Sequence, residues 1–135
     1  MRALLFAVVL TGCASNANLA AQRDGTTTSA FSNKLDVYLS AADWGEGTYA
    51  FEVTDRHGSS LSSDPVSCRQ FHVDVNGMIS AVLGGTCAHA WANDKIRHGS
   101  MTIQVQPFND AAGGRYQLWV MNGDVDIAYD SFRVQ

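Results

Sequence analysis

The sequence has no apolar run long enough to cross a bilayer. A membrane-spanning helix needs ~20 consecutive apolar residues, whereas residues 3–10, the longest such run, number eight. This short run follows a single basic residue, Arg2, as in the hydrophobic region of a signal peptide. The segment therefore indicates export and not a transmembrane helix.

Basic residues are also few. Nine Lys and Arg residues stand against 13 Asp and Glu residues, and the formal net charge is -4. Proteins that bind nucleic acid usually carry a stripe of basic residues that neutralises phosphates, and docking on anionic lipid needs a polybasic cluster. Because the basic residues are scattered along this chain, we expect no nucleic-acid partner and no direct docking on lipid headgroups.

Motifs for catalysis and for metal binding are missing as well. There is no G-x-S-x-G nucleophile motif, and no pair of acidic residues stands apart from the other acids. The four histidines lack the close spacing of paired metal ligands: His57, His72, His89 and His98. A calcium site at Asp124, Asp126 and Asp130 is disfavoured, because their spacing departs from the EF-hand loop. We therefore expect no enzymatic activity, no metal and no other cofactor.

Most of the chain after residue 32 alternates apolar and polar residues with a period of two. Such alternation is typical of half-buried antiparallel strands. It places an inward-facing apolar residue at every second position of residues 35–39, 49–53, 71–75, 101–105, 116–120 and 132–134. Asn76-Gly77 is a hairpin signal, since both residue types tolerate a positive φ. The pattern predicts an all-β domain over residues 33–135: an antiparallel β-sandwich of about seven or eight strands.

Leu10-Thr11-Gly12-Cys13, directly after the apolar run, resembles the lipobox of bacterial lipoproteins. The resemblance implies that residues 1–12 form a lipoprotein signal peptide and that Cys13 carries the lipid. It also implies a flexible linker over residues 13–32 and an anchor in the cell envelope, at the outer membrane because Ala14 follows the cysteine. The alternative is an ordinary secretory leader, which would make the protein secreted or periplasmic.

Two cysteines remain once Cys13 is assigned to lipid. Cys68 and Cys87 form a natural pair, and a disulfide suits a small exported β domain. The alternative, a metal site with two thiolate ligands, lacks the C-x-x-C spacing that zinc sites use. We expect a Cys68–Cys87 disulfide.

Two segments share the pattern G-x-Y-x-apolar-x-V, residues 47–53 and 114–120. These strands resemble those of prealbumin-like (transthyretin-like, Ig-like) modules of bacterial surface proteins. The residues around Cys68, Cys87 and Pro107 more closely resemble one group of secreted bacterial modules. The resemblance covers residues 46–121 and implies an Ig/prealbumin-like sandwich without a catalytic assignment. The chain departs from these modules at residues 122–130, which are too few to hold the cysteine-containing insertion that they carry before the last strand.

Exposed aromatic residues are the strongest sign of a binding surface. Tyr38 and Trp119 occupy the outward phase of their predicted strands, and Met121 lies beside Trp119 on the same phase. Aromatic side chains of this kind stack on sugars or anchor a protein partner. We expect a binding or structural module of the envelope that recognises a protein or a glycan through Tyr38, Trp119 and Met121. There are two alternatives. One is an inhibitor of a hydrolase such as lysozyme, and the other is an enzyme with a loop-built site at His89, Asp94 and His98.

Overall fold

The computed structural model describes residues 18–19, 28–40, 44–83, 87, 91–95 and 101–135. Cys13, the signal segment, His89 and His98 lie outside these ranges, as do the side chains of Trp91 and Asp94. The predictions made for them are therefore not addressed by the structure.

The described part of the chain is all-β, which confirms the predicted class. It contains ten strands and no helix of seven residues or more. Their bounds are β1 Asn18–Leu19, β2 Ala30–Phe31, β3 Tyr38–Ser40, β4 Gly47–Thr54, β5 Gln70–Val73, β6 Ile79–Val82, β7 Trp91–Lys95, β8 Met101–Gln104, β9 Arg115–Asn122 and β10 Val125–Val134. Short 3₁₀ turns occupy Lys34–Asp36, Val66–Arg69 and Ala112–Gly114. Among these residues no helix has the length and apolar character needed to cross a membrane.

The strands form two sheets. One has four strands in the order β1-β3-β8-β7, and the other has six in the order β2-β10-β9-β4-β5-β6. All strand pairs are antiparallel except β2–β10, which is parallel, so the expectation of a wholly antiparallel fold is wrong at this pair. No hairpin joins β2 to β10, and their relative direction is therefore free of the constraint that makes hairpins antiparallel.

β2 brings the folded part of the chain to an earlier residue than predicted. Phe31, assigned to the linker, is only 2% exposed and packs edge-to-face on Phe132 with ring centroids 6.0 Å apart. The Arg133 amide donates to the Ser29 carbonyl at 2.8 Å. Residues 29–31 therefore contact the last strand, and polar composition at residues 26–29 hides the single apolar anchor that follows.

One hydrophobic cluster contains side chains from both sheets. Its members include Leu39 and Ile103 of the four-stranded sheet and Phe51, Phe71 and Val120 of the six-stranded sheet, all 0–2% exposed. Burial alternates along β4 and β9, as the period of two predicts. The inward phase of both strands was therefore correctly predicted.

Two residues that were predicted to face inward are exposed. Leu35 is 51% exposed because the Asn33 side chain accepts a hydrogen bond from the Leu35 amide at 2.9 Å, and a 3₁₀ turn replaces the start of the predicted strand. Val75 is 76% exposed because it lies in the β5–β6 loop. The Asn76-Gly77 hairpin is present, with a three-residue loop that closes between Asp74 and Met78.

The predicted disulfide is present. Cys68 in the 3₁₀ turn before β5 is bonded to Cys87, which follows β6, and their Cα atoms are 5.4 Å apart. The bond closes the base of the β5–β6 hairpin. It leaves neither thiol available as a metal ligand.

Candidate binding face

Trp119 and Tyr129 form an aromatic pair on the outer face of the six-stranded sheet. They are directly opposite each other in the β9–β10 ladder. Their rings stack with centroids 4.9 Å apart and an interplanar angle of 25°. Tyr129 is 50% exposed and Trp119 is half-buried. The rings therefore cover one face of each other, and half of the Tyr129 side chain remains accessible to solvent.

The neighbouring strand β4 fixes the orientation of the indole ring. The Trp119 Nε1–H donates to the Thr54 hydroxyl at 3.0 Å. Glu52 is the β4 residue opposite Trp119, and its carboxylate is 3.4 Å from a guanidinium nitrogen of Arg69. Because both its polar atom and its ring face have partners, Trp119 is held in one position before any ligand binds.

Met121 extends this surface by one position along the outward phase of β9. Its ladder partners are Ala50 of β4 and Asp126 of β10, and its side chain is half-buried. We call the surface formed by Trp119, Tyr129 and Met121 the Trp119 face. Small and polar residues border it, which leaves its aromatic rings accessible.

Tyr38 does not belong to this face. It lies in β3, an interior strand of the four-stranded sheet between β1 and β8, and it is 7% exposed. All three residues of β3 are buried, so both faces of this strand are covered. The prediction of an exposed Tyr38 is wrong because a period of two identifies opposite faces of a strand and does not show whether one of them meets solvent.

Sequence reasoning missed Tyr129, because a β-bulge sets the register of β10. The β9–β10 hairpin pairs Met121 with Asp126, and an unbroken ladder would place Ala128 opposite Trp119. A register shift between Asp126 and Ala128 moves Tyr129 into that position instead. The only local signal for this register is the apolar residue Phe132, which must face inward. The register shift also places Phe132 on the inward phase of β10.

The other candidate residues that the structure describes do not gather into a site. His72 lies on the outer face of β5, and His57 lies in the loop after β4. Trp44, in the segment before β4, is 9% exposed and packs on Tyr49 and Phe71. Within the described ranges no group of three His, Cys, Asp or Glu side chains is arranged to hold a metal ion.

The three acids considered for calcium are also separated. Asp126 is opposite Met121 on the outer face, whereas Asp130 is opposite Leu118, whose side chain is buried in the core. Asp124 is exposed in the hairpin loop. The register therefore points the two strand carboxylates to opposite faces of β10.

Comparisons with family models, with curated proteins and with solved structures found no match to this chain. The chemistry of the Trp119 face therefore carries the functional argument. An exposed aromatic ring with hydroxyl, amide and carboxylate groups beside it can stack on an apolar face of a ligand and hydrogen-bond to its edge.

Proposed function

We propose that this protein is a non-catalytic binding module of the bacterial envelope, anchored through a lipid on Cys13, and that its Trp119 face recognises a glycan. The observation that carries the proposal is the stacked Trp119–Tyr129 pair, which leaves Tyr129 50% exposed on an outer sheet face. A large exposed aromatic residue that is held rigidly is typical of a recognition surface.

Polar side chains favour a glycan over a protein as the ligand. Gln117 and Ser131 are opposite each other in the β9–β10 ladder, two residues along each strand from the Trp119–Tyr129 pair. Gln117 is also opposite Thr54 of β4. They provide amide and hydroxyl groups beside the aromatic rings, which suits the hydroxyl edge of a sugar. A protein interface would need a larger apolar centre that excludes water.

We further propose that the two sheets form an Ig/prealbumin-like sandwich. Two features support this: the hydrophobic cluster contains side chains of both sheets, and the two G-x-Y strands, β4 and β9, are neighbours in one sheet. In this arrangement the Trp119 face lies on the outside of the sandwich, opposite the shared core.

Binding of envelope glycans to a Trp119→Ala variant tests the proposed function. Soluble peptidoglycan fragments and O-polysaccharide are titrated into the wild-type protein and the variant by isothermal titration calorimetry. We expect wild-type protein to bind one of these glycans and Trp119→Ala to bind it at least ~10-fold more weakly, since each 1.4 kcal/mol of lost contact is a factor of ten.

Two further variants control the experiment. Tyr129→Phe keeps the stacked ring and should keep binding, and Val75→Ala truncates an exposed apolar residue in the β5–β6 loop. Far-ultraviolet circular dichroism and thermal melting establish that each variant is folded. The proposal is rejected if the wild-type protein binds none of these glycans, or if folded Trp119→Ala binds as tightly as wild type.

A further inference from the structure

Two arginines are directly opposite each other at the far end of the β9–β10 ladder. Arg115 and Arg133 are ladder partners, and both are exposed. Like charges at directly opposite positions destabilise an antiparallel pair. The Arg115–Arg133 pair therefore destabilises the ladder, and almost any other outward residue at either position would destabilise it less.

A third arginine reaches the same place from another part of the chain. Arg56 lies in the loop after β4, and together with Arg115 and Arg133 it lines a cleft of about 440 Å³. Ala112 and Gly113, from the turn before β9, form another wall. We call this the arginine cleft.

An adjoining cleft of about 390 Å³ is lined by the same three arginines. Ser29, Gln117 and Ser131 also line it and add hydrogen-bonding groups. The three arginines therefore line both depressions.

Protein carboxylates do not neutralise this positive charge. Within the described part of the chain, Arg56, Arg115 and Arg133 form no salt bridge, whereas Lys34 and Arg69 do. One acidic residue, Asp55, lines the cleft. Hydrogen bonds from the Ser59 and His57 amides lower the pKa of the Asp55 carboxyl, so it is ionised at neutral pH. Three positive charges against one negative charge leave the cleft cationic in a chain whose formal net charge is -4.

We infer that the arginine cleft binds a phosphate group. The planar guanidinium of arginine donates two parallel N–H groups and matches phosphate geometry. Three such groups around one cleft suit a compact anion with more than one negative charge. Phosphate bound there would offset the repulsion between Arg115 and Arg133, which explains why the ladder tolerates that pair.

The inference does not depend on glycan binding at the Trp119 face. Arg115 is four residues from Trp119 on the same outward phase of β9, which corresponds to ~14 Å at ~3.4 Å per residue. Phosphate has two possible sources, the free anion and a phosphate ester on a larger envelope molecule. A phosphorylated glycan of suitable length would reach both sites, but each site can be tested alone.

Titration of the full-length protein with inorganic phosphate and with glucose 1-phosphate tests the inference. Calorimetry at low ionic strength is performed on wild type, Arg115→Gln and Arg133→Gln. We expect saturable binding to wild type and at least ~10-fold weaker binding to each variant, equivalent to 1.4 kcal/mol. Tighter binding of glucose 1-phosphate identifies an ester as the ligand, and tighter binding of inorganic phosphate identifies the free anion.

Further variants distinguish a site from general charge attraction. Lys34→Gln removes the same charge outside the cleft and should bind phosphate as wild type does. Arg115→Lys keeps the charge but should bind phosphate more weakly, because lysine lacks the two parallel N–H groups of the guanidinium. Without phosphate, the Tm of Arg115→Gln should equal or exceed that of wild type, since one of two opposed charges is gone. The inference fails if wild type shows no saturable binding, if Arg115→Gln binds unchanged, or if Lys34→Gln weakens binding equally. Trp119→Ala should leave phosphate binding unchanged, so failure here is separable from failure of the proposed glycan site.

Discussion

At the scale of single residues, Arg69 is the charged side chain most deeply buried in the described part of the chain, with 5% exposure. The β4–β5 ladder ends at the pair Ala50–Gln70, and the next β4 residue, Phe51, has its carbonyl oxygen on that open edge. Arg69 Nε donates to this carbonyl at 2.8 Å. The guanidinium also contacts Asp64, through the backbone carbonyl and through Oδ1 at 3.1 Å. Arg69 therefore replaces the missing strand by satisfying a backbone acceptor that would otherwise be buried without a partner.

Arg69→Ala should lower the free energy of unfolding by about 3–5 kcal/mol, because it leaves carboxylate groups without their buried counter-charge. Arg69→Lys should cost less, since the charge remains although the planar fork is lost. Urea denaturation followed by tryptophan fluorescence measures both values. Equal stability of Arg69→Ala and wild type would show that the contact is replaced by water at no cost.

At the scale of elements, two loops of this domain are built in the same way from the pattern D-x-x-G. In the loop at residues 55–59, Asp55 Oδ1 accepts from the amides of His57 at 2.8 Å and Ser59 at 3.0 Å. In the loop at residues 74–78, Asp74 Oδ1 accepts from the amides two and four residues later at 2.9 and 3.2 Å. The glycine of each loop has a positive φ, 88° at Gly58 and 81° at Gly77, which a side chain would disfavour. The first loop places Arg56 in the arginine cleft.

Asp55→Ala should lower Tm at pH 7, because two loop amides lose their acceptor. The folded state lowers the pKa of the Asp55 carboxyl below its ordinary value of 3.8. The ionised carboxylate therefore stabilises the fold at any pH above 3.8. This stabilisation is lost as the pH falls through the lower pKa of the folded state. The difference in Tm between wild type and variant should therefore be constant from neutral pH down to that ordinary value and narrow below it. Asp124→Ala, which removes an exposed acid from the β9–β10 loop, is the control. A difference in Tm that does not change with pH would contradict the argument.

At the scale of the whole molecule, the six-stranded sheet has two different faces. Its inner face contributes Phe51, Phe71 and Val120 to the common core. Its outer face carries the Trp119 face and, at the far end of the same strands, the arginine cleft. Burial of one face thus leaves the other free for the recognition that we propose. The Cys68–Cys87 disulfide closes the β5–β6 hairpin of the same sheet.

The proposed lipid anchor leads to a measurement on the intact protein. Membrane-fraction protein from an expressing bacterium should have a mass that begins at Cys13 and includes acyl chains, and reduction of the Cys68–Cys87 bond should add two hydrogen atoms. Because anchoring needs the thiol, Cys13→Ser should leave the membrane fraction while keeping the disulfide. An unlipidated mass that begins nearer Leu19 would replace the anchor with ordinary secretion.

Local patterns in the sequence were enough to determine the class of the fold and much of its core. A period of two identifies Tyr49, Phe51 and Val53 as inward residues because successive side chains of any strand point to opposite faces. The same period places Trp119 and Met121 together on the opposite phase of β9. The Cys68–Cys87 bond was predictable because the leader indicates export, and exported domains retain few unpaired cysteines.

The tertiary structure alone decided which residues meet across strands and which outward faces remain exposed. Tyr38 is buried because both faces of β3 are covered, and β2 can run parallel to β10 because no hairpin connects them. The bulge before Ala128 places Tyr129 opposite Trp119 and Arg133 opposite Arg115. Strand order and register depend on hydrogen bonds between residues distant in sequence, which a local alternation of apolar and polar residues does not specify.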